Sequence, residues 1–215
     1  MGAGDMNDRE STHQKALEFF DGLWRGGDHW EFETSEYERA RLDRLLELVG
    51  GRRYARALEI GCGTGTFTKR LSSVADRTVA LDISPTAIAH AQANSGLPAS
   101  IEFRVANAME LDLSKEGSWD LIVMSETICY LGWLYPFFDV AWFAHELYGA
   151  TAQGGRMLLA NTLGDVGDAL LLPWVIRSYH DMFRNVGYGV EREETFRGEK
   201  NGVAFEVLMS VLRKD

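Results

Sequence analysis

At 215 residues, 46% of them hydrophobic and 25% charged, with only 4 prolines, the chain has the make-up of one globular domain that builds its own core. No apolar run approaches the roughly 20 residues of a membrane span, and no basic stretch leads into an apolar one as in a secretory signal. The formal net charge of −10, with no Lys/Arg cluster longer than Arg52-Arg53, argues against nucleic acids and anionic membranes as partners.

Cys62 and Cys129 lack metal-ligand spacing, so no metal is expected, and no disulfide is expected in the cytoplasm, the expected compartment. In chain order, the polar start Met1–Glu10 is expected to be unstructured. Leu17, Phe20, Leu23 and Trp24 then recur at helical spacing until Gly26-Gly27. An aromatic and acidic loop from Asp28 to Thr34 precedes a second helix from about Ser35, with Leu42, Leu45, Leu46 and Val49 on one face and Gly50-Gly51 as its stop.

From Ala55 onward, strands alternate with helices. The pattern predicts strands at Ala55–Ile60, Thr78–Ile83, Ile101–Ala106, Trp119–Met124 and, after a Gly154-Gly155 turn, Arg156–Asn161. Helices are predicted at Thr66–Val74, from the Ser84-Pro85 cap, from about Leu134 to Ala150, and at Pro173–Asn185. Two final strands, Val190–Phe196 and Val203–Leu212, flank a turn too short for a parallel crossover. The class is therefore α/β: a doubly wound, seven-stranded, mostly parallel sheet with an antiparallel C-terminal hairpin.

The segment Leu58-Glu59-Ile60-Gly61-Cys62-Gly63-Thr64-Gly65 ends the first strand and opens a helix, at the sheet edge where such folds bind ligands. Asp82 closes the second strand about twenty residues later, where a carboxylate can accept hydrogen bonds from a ribose diol. Glu59 suits a cationic ligand and is awkward beside a pyrophosphate, and Thr66 stands where the dinucleotide fingerprint has its third glycine. A nicotinamide-dependent dehydrogenase is disfavoured on both counts.

These residues resemble the first motif, E/D-x-G-x-G-x-G, of class I S-adenosylmethionine-dependent methyltransferases, over about Ala55 to Leu212. The resemblance implies S-adenosyl-L-methionine as cofactor and a Rossmann-like methyltransferase domain at residues 51–215; outside the resemblance, residues 1–50 are expected to form a helical lid. It implies that Gly61, Cys62, Gly63 and Gly65 lie against the methionyl and ribosyl part, Glu59 near the ammonium group, and Asp82 at the ribose. Ile83 would lie against the adenine ring, although core packing explains it equally well. Val105-Ala106-Asn107-Ala108-Met109 matches the adenine-edge motif with Asn107 in place of the usual Asp, its side-chain carbonyl serving as acceptor.

More narrowly, Tyr37-Glu38-Arg39-Ala40-Arg41 and Ser125-Glu126-Thr127-Ile128-Cys129-Tyr130-Leu131 are similar to NodS-like small-molecule methyltransferases of specialised metabolism. The lid is expected to bring Trp30, Phe32 and Tyr37 over the cofactor, and Arg39 or Arg41 to its carboxylate. Ser125 adjoins the cofactor after the fourth strand. Glu126 is the first candidate for a catalytic or substrate-holding carboxylate, Tyr130, Trp133 and Trp174 are candidate substrate-pocket walls, and His180 is the best-placed histidine for a base. Packing with Ile176 and Phe183 also explains His180, and His145 falls on a stripe with Leu134, Phe138, Ala141 and Tyr148 that reads as buried.

The expected activity is methyl transfer to an N or O atom of a small-molecule acceptor with an apolar portion, by a monomer or homodimer. A non-catalytic S-adenosylmethionine-binding protein is the alternative. A nucleic-acid methyltransferase is disfavoured by the charge and by the absence of an Asn/Asp-Pro-Pro-Tyr motif after the fourth strand.

Overall fold

The apolar strand segments assemble into one seven-stranded sheet of order β3-β2-β1-β4-β5-β7-β6, seen in a computed structural model that describes residues 3–93, 97–164 and 168–215. β1 (Tyr54–Ile60), β2 (Ala75–Asp82), β3 (Ile101–Val105), β4 (Trp119–Ser125) and β5 (Thr151–Leu163) pair in parallel. β7 (Val203–Arg213) lies antiparallel between β5 and β6 (Gly189–Lys200), as the short turn requires. β1 pairs with β2 on one side and β4 on the other, so the strand order reverses there and a crevice opens at the carboxyl edge. Ile60 is level with Leu81 and with Met124, which puts Gly61, Asp82 and Ser125 together on that edge.

Alternate strand residues feed two cores, as the pleat dictates. Leu58, Ile60, Ile122, Met124 and Leu159 face α6 (Phe137–Ala150) and α7 (Pro173–Asn185). Ala57, Leu121, Val123 and Leu158 face Leu42, Leu45 and Val49 of α2 (Glu36–Val49) and Phe67 and Leu71 of α3 (Thr66–Leu71). α2 is therefore structural, capped by Ser35, whose hydroxyl accepts the Glu38 N–H at 3.4 Å.

α1 (Ala3–Arg25) begins well before the expected helix, so the polar start is helical from Ala3, while Met1 and Gly2 lie outside the described residues. It is fastened at Asp21. One carboxylate oxygen accepts the Ser84 hydroxyl at 2.9 Å and the Thr86 N–H at 3.0 Å, and the other accepts Arg25 at 2.8 Å. Asp21 thus caps α4 (Pro85–Ala93) from another helix, and hydrogen bonds from Thr86, followed by Ser84 and the Arg25 charge, hold its pKa down at about 2.

Three further expectations change. The helix expected from Leu134 to Ala150 begins only at Phe137 (α6), and a separate helix not expected from the sequence, α5 (Ile128–Leu134), precedes it; the two are parted because Pro136 disfavours helical backbone at Tyr135, which is extended. Restarting at Phe137, α6 buries Val140, Phe143, Ala144 and Leu147, so His145 and Phe138 are exposed rather than on the buried stripe. His180 does not reach the sheet edge. It is buried between α7 and β7, with Nδ1 2.8 Å from the Ser210 hydroxyl, which itself donates to Glu193. That geometry makes Nδ1 the donor and leaves Nε2 buried without a partner.

Burial, with the nearby Arg184 and Arg177 charges, depresses the His180 pKa from 6.5 to about 3. The unfolded chain therefore binds the extra proton first, and stability falls by about 1.4 kcal/mol per pH unit below 6.5 towards 3. Urea unfolding at pH 7 and pH 5 is expected to show a loss about 2 kcal/mol larger in the wild type than in His180→Gln.

Asp21 has the opposite sign, its stabilisation being complete above about pH 4 and lost as pH falls through about 2. Asp21→Ala at neutral pH is expected to cost about 1–2 kcal/mol and to speed hydrogen exchange in α1 while leaving β1 and β4 protected; equal protection of α1 in both proteins would refute the fastening.

Candidate active site

The crevice at the carboxyl edge is a cavity of about 480 Å³. Its floor is built by the turns after β1, β2, β3 and β4, and its roof by α1, the Trp30–Phe32 loop, α2 and the β6–β7 hairpin.

Gly61 and Gly63 have φ of 77° and 52°, the left-handed region that glycine enters without cost. A Cβ on Gly61 would sit 2.3 Å from the Thr127 hydroxyl, which itself donates to the Ile60 carbonyl at 3.0 Å. A Cβ on Gly63 would sit 2.7 Å from the Trp24 ring, so α1 rests directly on the glycine turn. The Gly63 and Ser84 N–H groups each donate to Asp82 at 2.9 Å and lock the turn to the end of β2. Burial pushes the Asp82 pKa up against these donors.

Glu59 lies beneath the turn, 4% exposed, and its Oε2 is buried with no hydrogen-bond partner. Burial, with a smaller contribution from the Asp82 charge, raises its pKa to about 8. Such a carboxylate is stabilised only when a cation or donor reaches it.

At the far wall, Asn107 caps the turn after β3 by accepting the Met109 N–H at 3.1 Å. Its Nδ2 lies 2.8 Å from the Tyr135 hydroxyl, 2.9 Å from Glu110 and 3.2 Å from His13 of α1.

After β4 the backbone of Glu126 is left-handed, with φ 56°, a strained conformation for a residue with a side chain. Its carboxylate accepts the Thr162 N–H at 2.9 Å and the Thr162 hydroxyl at 3.0 Å, and lies 3.6 Å from Arg41. Burial raises its pKa, opposed by Arg41 and Thr162. Arg41 is itself buried, giving Nε and Nη2 to one Glu38 oxygen at 2.9 Å and Nη1 to the Ser125 hydroxyl at 3.1 Å. Lys200, at the hairpin end, lies 3.4 Å from Glu38 and donates to the Trp30 carbonyl. The charged groups lining the cavity, among the described residues, are four carboxylates (Glu38, Glu59, Asp82, Glu126) and two cations (Arg41, Lys200).

Of the residues singled out in the sequence, Glu59, Gly61, Cys62, Gly63, Asp82, Ile83, Asn107, Ala108, Ser125, Glu126, Trp30, Tyr37, Arg41 and Tyr130 line this cavity. Five do not. Gly65 opens α3 against Phe103, where a Cβ would be 2.8 Å from the ring, and so serves packing. Met109 packs on the core, Trp133 and Trp174 are exposed, and His180 is remote, as described above. Phe20, Trp24, Tyr135, Thr162, Lys200 and Phe205 line the cavity without having been singled out as site residues. The helical spacing of Phe20 and Trp24 was a usable signal. Lys200 had none, because its segment reads as a turn.

The sequence profile of nodulation protein S (NodS) matches residues 21–134, just over half of the chain. Nodulation protein S of Rhizobium tropici is 36% identical over 107 residues, which are 49% of this chain and 44% of that protein. A ubiquinone biosynthesis O-methyltransferase of Xanthomonas oryzae pv. oryzae is 27% identical over 124 residues, 54% of this chain and 50% of that one. The chain thus spans about half the length of these curated relatives. Among solved structures, N-methyltransferase NodS from Bradyrhizobium japonicum WM9, in complex with S-adenosyl-L-homocysteine, superposes with a TM-score of 0.78 at 20% identity, over 93% of this chain and 98% of that one. The architecture is the Rossmann-like methyltransferase fold, and the chain belongs to the nodulation protein S family.

Proposed function

We propose that this chain is an S-adenosylmethionine-dependent methyltransferase acting on an amine of a small-molecule acceptor that has an apolar portion. Glu59 carries the reading: a buried carboxylate with an unpartnered oxygen, under a turn whose glycines leave no room for side chains, suits a cationic amino acid group. When bound, the cofactor supplies a methyl group already activated by its sulfonium. Glu59 would hold the ammonium group, Arg41 the carboxylate, Asp82 the ribose hydroxyls, and Ile83, Asn107 and Ala108 the adenine side. Trp30 and Tyr37 exclude water from above. Because α2 belongs to the core, the part of the chain proposed to open and close is the stretch before Ser35.

Two observations favour an amine over a hydroxyl acceptor. The lining carboxylates outnumber the cations four to two, and Glu126 is held at the edge by Thr162 in a conformation that costs backbone energy. Glu126 is proposed to hold the acceptor amine and receive its proton, so that the lone pair is free for in-line attack. The aromatic faces of Phe20 and Tyr130 supply the apolar wall. The two cysteines, both free and buried, suit a reducing compartment, and the cytoplasm is proposed.

Two measurements test the reading. At pH 7 Glu59 is mostly protonated, so an ammonium group arriving beside it lowers its pKa and expels a proton. Calorimetry of S-adenosylhomocysteine binding in buffers of different ionisation enthalpy is expected to show close to one proton more released by the wild type than by Glu59→Gln. Identical proton counts would remove Glu59 from the site. Assay of S-adenosylhomocysteine formation over a panel of amines, phenols and sugars should find turnover with amines, and Glu126→Gln is expected to lower kcat/KM by about tenfold to a hundredfold. Turnover with phenols alone would sink the amine assignment, and tight cofactor binding with no turnover across the panel would leave a binding protein.

A further inference from the structure

Two large rings stand exposed just outside the cavity. Phe19 of α1 is 40% exposed and Trp133 of α5 51%, and their centroids lie 5.2 Å apart, edge to face. Both connect inward. Phe19 meets Phe20 at 5.1 Å and Tyr130 at 6.4 Å, and Phe20 meets Tyr130 at 5.0 Å, the last two being cavity-lining residues. The four rings form an unbroken aromatic path from the cavity wall to solvent. The exposed rings of Phe137, Phe138 and Trp142 have no such link: among the described residues their ring contacts are only with each other or with His145.

The backbone under both rings is anchored. Asp21, two residues after Phe19, ties α1 to Ser84 and Thr86. Gly132, next to Trp133, lies so close to Tyr179 that a Cβ would sit 1.8 Å from the hydroxyl oxygen, so α5 rests directly on α7. A ligand group laid across the exposed surfaces of Phe19 and Trp133 meets rings already in place, which lowers the ordering cost of binding.

We propose that Phe19 and Trp133 form an outer subsite of the acceptor site, which takes a flat apolar group, of the aryl type, carried on the acceptor at a distance from its methylated amine. This rests on the amine reading given under the proposed function. Two exposed rings set edge to face present flat apolar surface that favours a planar apolar group over a flexible or charged one.

Calorimetric titration tests it directly, with phenylalkylamines from benzylamine to 6-phenylhexylamine added to protein saturated with S-adenosylhomocysteine. At one chain length the Kd is expected to drop to about one tenth of the benzylamine value or lower. Phe19→Ser and Trp133→Ser should each bring that ratio back towards one, with the Kd for S-adenosylhomocysteine retained as the check on folding. A ratio that is the same in wild type and variants overturns the subsite and leaves the amine reading standing. Failure of every amine to bind, while S-adenosylhomocysteine still binds, overturns the amine reading and the subsite with it. A change of oligomeric state in the variants, seen by light scattering, would assign the rings to self-association instead.

Discussion

A guanidinium buried among carboxylates at the end of β4 ties the separate parts of the site together. Arg41 comes from α2, its Glu38 partner is also held by Lys200 of the hairpin, and its remaining nitrogen reaches Ser125 beside Glu126. A buried charge persists only with partners in good geometry, and without Glu38 the Arg41 guanidinium would be left with the Ser125 hydroxyl and the more distant Glu126. The parallel half of the sheet supplies the glycine turn and Asp82. The acceptor end exists only once α2 and the β6–β7 hairpin have been added on either side.

The same charges support the cationic ligand of the proposed reading. Glu59, Asp82 and Glu126 all have pKa values raised by burial, which means that their ionised forms are under-solvated. The backbone donors to Asp82 and the Thr162 donors to Glu126 offset part of this; Glu59 has an oxygen left without any. A cationic ligand supplies what is missing, so binding and the relief of buried charge are one event. In the proposed reaction little further chemistry would be asked of the protein, because in-line displacement at an activated methyl depends mainly on alignment in a dry pocket.

How much of this was legible depends on whether a residue's role is local. Gly61, Gly63 and Asp82 act through a turn and a strand end, and both are written in the spacing of neighbouring residues. Gly65 shares the motif, but its place is set by Phe103 from a strand almost forty residues away, so spacing could not separate packing from binding. His180 lies on an amphipathic helix, yet its partner is Ser210 on the last strand, and no helical pattern names that contact. The hairpin was underestimated for a related reason. Arg197-Gly198-Glu199-Lys200 is polar enough to read as loop, but its backbone pairs with Val203–Glu206 and extends the strand to the cavity.

Glu126 shows how these levels compete. Its left-handed backbone, where glycine would be unstrained, costs on the order of 1 kcal/mol. Three contacts hold it: its N–H bonds the Ala160 carbonyl at 2.7 Å, and Thr162 grips both carboxylate oxygens. Glycine at this position would relax the turn, remove the carboxylate and leave Arg41 with Glu38 as its only carboxylate partner. Because stability alone favours that exchange at the backbone, the strain is best understood as the cost of aiming a carboxylate at the one edge where β1, β2 and β4 end together.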